Sequence, residues 1–101
     1  MGIKGGPAMK ISDDGDTIQF KSLPTFFKPE RDGRKPTTTR EIPGEEMPAD
    51  ITLFDLKYIE ITNTETGEKF TRSLSLILHL VEYPESSLWV FGWQHPQEVL
   101  Q

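Results

Sequence analysis

Leucine occupies every second position from residue 74 to residue 80, and this alternation constrains the fold more than any other feature of the chain. In an extended strand successive side chains point to opposite faces, so a period of two places all four leucines on one face. The opposite face would carry Ser73, Ser75, Ile77 and His79. The pattern therefore predicts a β-strand whose four leucines pack against the hydrophobic core.

This strand is predicted to form a β-hairpin with the segment before it. Residues 55–62 and 69–81 are the two predicted strands, and residues 63–67 join them. Gly67 suits the left-handed position of a bulged hairpin turn. Residues 87–93 are apolar on both faces, which is typical of a strand in the interior of a sheet or barrel.

The first half of the chain adds two shorter strands and one helix. Residues 17–20 alternate apolar and polar side chains, and residues 37–41 are rich in β-branched ones. Between them, Ser22 is predicted to cap a helix over residues 23–28, which ends there because Pro29 lacks an N–H group. Five or six strands with one short helix indicate a mainly β (α+β) fold, specifically a small β-barrel.

The length of 101 residues is enough for one hydrophobic core and too small for two. We expect a domain over residues 13–95, with a flexible leader at residues 1–12 and a tail at residues 96–101. The chain has no cysteine, which excludes disulfides and thiolate metal sites and is typical of the reducing cytoplasm. Its longest apolar run is far shorter than the roughly 20 residues that cross a bilayer, so we expect a soluble, cytoplasmic protein that contacts no membrane.

Basic side chains are concentrated in residues 33–40, which hold three cations and three hydroxyl groups. Residues 21–40 carry six basic and two acidic side chains, a net charge of +4. Residues 41–101 carry three basic and eleven acidic side chains, a net charge of −8. A ligand bearing phosphate or carbonyl oxygens would be attracted to the first region. A bend near Pro36 is needed for Lys35 and Thr38 to reach the same pocket, because alternation along a straight strand would separate them.

The same residues resemble the ASCH domains of the PUA-like superfamily, in which a Gly-x-Lys-x-x-Thr-x-Arg turn, with Glu as an alternative to Thr, follows a short helix. Gly33, Lys35, Thr38 and Arg40 match the four fixed positions. The chain is similar in particular to small acetylcytidine amidohydrolases of that group and to short phage-encoded relatives with no assigned activity. The resemblance covers residues 17–93 and implies a β-barrel whose cleft takes RNA, a nucleotide or a modified nucleoside.

The amidohydrolases use the lysine and threonine of the motif together with a glutamate from the later hairpin strand. The resemblance therefore implies Lys35 as general base and Thr38 as nucleophile or as the group that positions water. Ser73 stands where the glutamate would be, so the acid that protonates the leaving amine is missing. The carboxylates that we consider as replacements are Glu41, Glu45, Glu46 and Glu60.

The predicted ligand-binding residues extend beyond the matched motif. They are Gly33, Arg34, Lys35, Thr38, Arg40, Ser73 and Trp93. We expect the aromatic side chains of residues 89–93 to pack in the core, with Trp93 as the exception that reaches a ligand. Binding of RNA or a nucleoside should be weak and sensitive to salt, because few phosphate contacts are available and the net charge is −5.

Three functional hypotheses follow from these patterns. The first is an RNA- or nucleoside-binding module, and the second is an amidohydrolase acting on an acylated nucleoside such as acetylcytidine. The third is a small, phage-type interaction factor whose acidic half contacts a basic protein. His79 and His95 each have a glutamate three residues later but no third ligand nearby, so neither a metal site nor a cofactor is expected.

Overall fold

The computed structural model of the chain describes residues 9–46 and 55–94, which form one curled sheet and one α-helix. The strands are β1 (Met9–Ile11), β2 (Thr17–Ser22), β3 (Thr37–Pro43), β4 (Tyr58–Asn63), β5 (Lys69–Glu82) and β6 (Ser86–Gln94). Helix α1 (Pro24–Asp32) lies between β2 and β3, and a 3-10 turn (Gly44–Glu46) follows β3. The predicted mainly β fold of five or six strands with a short helix is therefore confirmed.

The six strands lie in the order β1-β2-β4-β5-β6-β3 and curl into a half-barrel. Neighbouring strands are antiparallel except β2 and β4, which are parallel and joined by a connection that includes α1 and β3. Strand β6 lies between β5 and β3, as its two apolar faces predict. The hairpin turn between β4 and β5 has Gly67 at φ 80°, so its predicted left-handed conformation is confirmed.

The inner face of the half-barrel holds the core, in which aromatic side chains from three strands and the helix meet. Phe20 packs against Phe91 with ring centroids 5.1 Å apart, and Phe70 contacts both Phe27 and Trp93. Trp93 is only 4% exposed, so the prediction that its side chain stands outside the core is wrong. It sits on the inner face of β6 beside Phe70, where alternation along the strand places it with Phe91.

A β-bulge at Ser75 reverses the predicted orientation of the leucines that follow it. Leu74 pairs with Trp93 but Leu76 pairs with Gly92, so Ser75 is an extra residue and the alternation changes sides. Leu74 still packs against the core, whereas beyond the bulge Ile77 takes that role. Leu76, Leu78 and Leu80 are 42%, 45% and 48% exposed, so the prediction that they face the core is wrong.

Helix α1 is longer than the sequence predicts and begins differently. It continues through Pro29 to Asp32, and Leu23 instead of Ser22 occupies the N-cap position. Ser22 ends β2, and its hydroxyl group donates a hydrogen bond to Glu30. The missing N–H of Pro29 removes one helical hydrogen bond, and burial of the face that carries Phe27 and Glu30 compensates for this loss.

The ends of the domain also differ from the prediction. Met9–Ile11 belongs to the sheet and the Met9 side chain is buried, so the boundary predicted after residue 12 is placed too late. Residues 1–8 of the predicted leader and the predicted tail at residues 96–101 lie outside the described residues. Within residues 9–46 and 55–94, no helix has the length and apolar character needed to cross a membrane.

Candidate functional site

A cleft of about 430 Å³ lies between helix α1, the end of β2 and the first half of β3. Its lining residues are Lys21, Ser22, Leu23, Phe26, Glu30, Lys35, Thr38, Thr39 and Arg40. The chain turns through residues 33–36 before it enters β3, so the predicted bend near Pro36 is present. Lys35 and Thr38 consequently reach the same cleft, although they would lie on opposite sides of a straight strand.

An ion pair between a buried carboxylate and a partly exposed amine forms one wall of the cleft. Glu30 is only 1% exposed, and its Oε2 lies 3.1 Å from Nζ of Lys35. Its other oxygen accepts a hydrogen bond of 3.0 Å from the hydroxyl group of Ser22. A buried carboxylate is tolerated when a cation and hydrogen-bond donors replace its lost water, and Lys35 and Ser22 do this here.

The ammonium group of Lys35 is held from two directions. Besides its contact with Glu30, it donates a hydrogen bond of 2.7 Å to the backbone oxygen of Thr37. An ammonium group has three N–H donors, and among the described residues these two contacts occupy two of them. The third can donate to an oxygen of a ligand in the cleft.

Arg40 and Thr38 form a second polar pair on the inner face of β3. Nε of Arg40 donates a hydrogen bond of 2.9 Å to Oγ1 of Thr38, and the guanidinium group lies 4.8 Å above the ring of Phe20. Burial lowers the pKa of Arg40, while the negative charge of Glu30 acts in the opposite direction. Arginine stays protonated in proteins, so Arg40 keeps its charge and presents Nη donors to the cleft.

Two large apolar side chains border this polar cleft and remain open to solvent. Leu23 is 59% exposed at the N-cap of α1, and Phe26 is 49% exposed in its first turn. Phe26 and Phe27 are adjacent in α1, but of the two only Phe27 is buried. The ring of Phe26 is therefore available for stacking against a planar ligand.

The other predicted binding residues do not line the cleft. Gly33 terminates α1 with φ 88°, and Arg34 extends into solvent 3.8 Å from Asp32. Ser73 is exposed in β5 opposite Tyr58 of β4, and Trp93 belongs to the core. The structure thus brings together Lys35, Thr38 and Arg40 of the predicted set, and a ligand contact at the remaining four stays a prediction.

The carboxylates considered as replacements for the missing glutamate also lie elsewhere. Glu41 accepts a hydrogen bond from Ser86, and Glu60 accepts one from Gln19. Glu45 and Glu46 belong to the turn after β3. The carboxylate in the cleft is Glu30, which sequence reasoning missed although it lies three residues after Phe27, on the same face of the helix.

The two histidines show no metal-ligand arrangement in the part of the chain that the structure describes. His79 stacks on Trp89 with ring centroids 4.6 Å apart, and its Nε2 lies 3.1 Å from Glu82. Among these residues no cluster of three potential ligands is present. His95 lies outside the described residues.

Comparison of the chain with known proteins finds no matching family model, no matching curated protein and no matching solved structure. The resemblance to ASCH domains therefore rests on the four matched positions and stays a prediction. The cleft geometry is independent of that resemblance, because it follows from the positions of α1, β2 and β3 alone.

Proposed function

We propose that the cleft binds a nucleoside or one unpaired nucleotide of RNA. The observation that carries this proposal is the exposed ring of Phe26 on the border of a cleft that also holds Lys35, Thr38 and Arg40. Proteins that bind unpaired RNA combine aromatic side chains, on which bases stack, with cations that contact the backbone. The cleft offers both kinds of group within one concavity.

The size and charge of the cleft support a small anionic or polar ligand. Its volume of about 430 Å³ lies near the lower end of ordinary small-molecule sites, which suits one nucleoside and not a duplex. Lys21, Lys35 and Arg40 contribute three positive charges against the single negative charge of Glu30, in a chain of net charge −5. Phosphate or carbonyl oxygens are therefore attracted to this part of the surface.

A second candidate function is hydrolysis of the amide of an acylated nucleoside. It is favoured by Glu30, whose carboxylate contacts Lys35 in the same cleft as Thr38. A threonine nucleophile needs a base within hydrogen-bond reach, however, and the Thr38 hydroxyl group accepts a hydrogen bond from Arg40. Lys35 donates instead to Glu30 and to the backbone of Thr37. These contacts favour binding over hydrolysis.

Binding of a short unpaired RNA, compared between two lysine variants, tests the proposal. We expect Lys21→Ala to weaken binding several-fold, because Lys21 lines the cleft, and Lys69→Ala to leave it unchanged. Lys69 is a matched control, because it is also an exposed lysine on a strand. It lies in β5, which β4 separates from β2 and the cleft. Equal losses in both variants would show that the RNA binds by general charge attraction and would contradict a site in the cleft.

Incubation with acetylcytidine separates the two candidate functions. Chromatography would detect cytidine released by hydrolysis, and the binding proposal predicts none. Release that Thr38→Val abolishes would establish the amidohydrolase instead.

A further inference from the structure

The outer surface of the sheet changes from polar to apolar at the bulge in β5. Before the bulge the outward residues of this strand are Lys69, Thr71 and Ser73, all exposed. Beyond it the outward residues are Leu76 and Leu78, which pair with Gly92 and Val90 of β6. The bulge therefore places on the surface the leucines that alternation alone would direct into the core.

These leucines are part of a larger apolar surface, which we call the leucine face. It consists of the exposed Leu76, Leu78, Leu80 and Val81 of β5 and the half-buried Leu88 and Val90 of β6. Val81 pairs with Leu88, so the surface continues across β5 and β6 to the end of the hairpin. Gly92 lies next to Leu76 in this surface. A Cβ atom on residue 92 would lie 3.2 Å from the Cβ of Leu76, so a larger residue would crowd that leucine.

Among the described residues, the charged side chains that border the leucine face are acidic. Residues 76–92 contain no lysine or arginine, and Glu85 is exposed in the turn that ends the hairpin. Glu41 of β3 pairs with Leu88 and adds a second carboxylate at the border. Glu82 lies on the opposite face, where its carboxylate contacts His79 and Ser87. A contiguous exposed apolar surface is typical of a docking site, and its charged border selects among partners.

We propose that the leucine face docks a protein segment whose apolar side chains are flanked by lysine or arginine. Three other occupants are disfavoured by the same carboxylates. A second copy of this chain would bring two sets of acids together, and an anionic membrane or a nucleic acid would be repelled. A basic segment would cover the apolar side chains and pair its cations with Glu41 and Glu85.

Titration of the labelled full chain with synthetic peptides tests this proposal. The probe is a peptide of alternating leucine and lysine, about ten residues long, which is the upper range of ordinary strands. Control peptides replace either lysine by glutamate or leucine by serine. We expect the leucine–lysine peptide to shift the amide signals of residues 76–90, and both control peptides to bind at least about tenfold more weakly.

Variants locate the contact on the protein. Leu78→Ser should weaken the peptide about tenfold, the effect expected when one leucine leaves an interface. Tyr58→Ser is the matched control, because Tyr58 is an exposed apolar side chain on β4, away from the leucine face. Glu41→Gln combined with Glu85→Gln should weaken binding and reduce its salt dependence while leaving the apolar surface intact.

Several results would overturn the proposal. Equal binding of the leucine–glutamate peptide, or shifts confined to residues outside 76–90, would remove the leucine face as a basic-segment site. Sedimentation of the free chain as a dimer that Leu78→Ser dissociates would assign this surface to a second copy instead.

Discussion

Nζ of Lys35 lies 3.1 Å from Oε2 of Glu30, and this contact ties the turn before β3 to helix α1. The other oxygen of Glu30 bonds to Ser22, so the same carboxylate also ties the helix to the end of β2. The end of β2, helix α1 and the turn before β3 thus converge on one buried charge. The cleft is organised around this carboxylate, and its cation is fixed before any ligand arrives.

The ion pair predicts a characteristic result in a double-mutant cycle. Lys35→Met leaves the buried Glu30 carboxylate without its cation, and we expect a loss of about 2 kcal/mol of unfolding free energy. This is less than the ~3–5 kcal/mol measured for fully buried pairs, because the Lys35 side chain is 41% exposed. Adding Glu30→Gln removes the unpaired charge and should restore most of the loss. Urea unfolding of the wild type, the two single variants and the double variant measures the coupling energy between Glu30 and Lys35. Additive losses of unfolding free energy would show that the two side chains do not interact.

Phe26 provides a prediction for ligand affinity. If a base stacks on its exposed ring, Phe26→Ala should weaken binding of unpaired RNA by about 1–3 kcal/mol, or roughly 5- to 150-fold. Stability should change little, since the ring is 49% exposed. Tyr83→Ala is the matched control, because Tyr83 is an exposed aromatic residue beyond the end of β5. Fluorescence anisotropy with a labelled oligonucleotide would measure both, and the same affinity for both variants would argue against stacking on Phe26.

Gly33 has a conformational role that can be tested by stability. Its φ of 88° lies in the left-handed region, where a Cβ atom is unfavourable, and it ends α1 just before Lys35. We expect Gly33→Ala to lower the unfolding free energy by about 1 kcal/mol, the cost of a left-handed non-glycine residue. Arg34→Ala serves as the neighbouring control, since its side chain extends into solvent. A neutral Gly33→Ala would mean that the turn adopts another conformation.

Salt dependence provides a further test of how many phosphates are contacted. Three cations line the cleft and one of them pairs with Glu30, so binding of unpaired RNA should follow a log–log slope no steeper than about −2, from roughly 0.7 per phosphate contact. Binding measured over a series of potassium chloride concentrations gives this slope directly. A much steeper slope would indicate an extended basic surface, which the acidic remainder of the chain does not offer.

Much of this arrangement is predictable from local sequence patterns. The hairpin turn at Gly67, the internal position of β6 and the convergence of Lys35 with Arg40 all depend on residues that are near one another in the chain. Alternation and turn chemistry act over such short ranges, so the sequence reveals them. The bend at Pro36 was predictable for the same reason, because it depends on adjacent residues.

The features that escaped prediction depend on how the helix, the turns and the strands pack against one another. Whether Ser75 is an extra residue depends on how β5 pairs with β6, and the alternation of leucines does not contain that information. From the sequence, Glu30 resembles an ordinary surface acid, because its contacts with Ser22 and Lys35 are visible only in the structure. Pro29 likewise indicates a helix end unless the burial of Phe27 and Glu30 is known.

Phe26, Lys35, Thr38 and Arg40 should respond to a nucleotide as one ligand site, which an amide chemical-shift map would show residue by residue. Labelled full chain would be titrated with cytidine 5′-monophosphate at increasing concentration. We expect saturable shifts at these four residues and at Glu30, with the signals of β5 and the leucine face unchanged. Saturable shifts confined to other residues, or no shifts at millimolar nucleotide, would contradict this expectation.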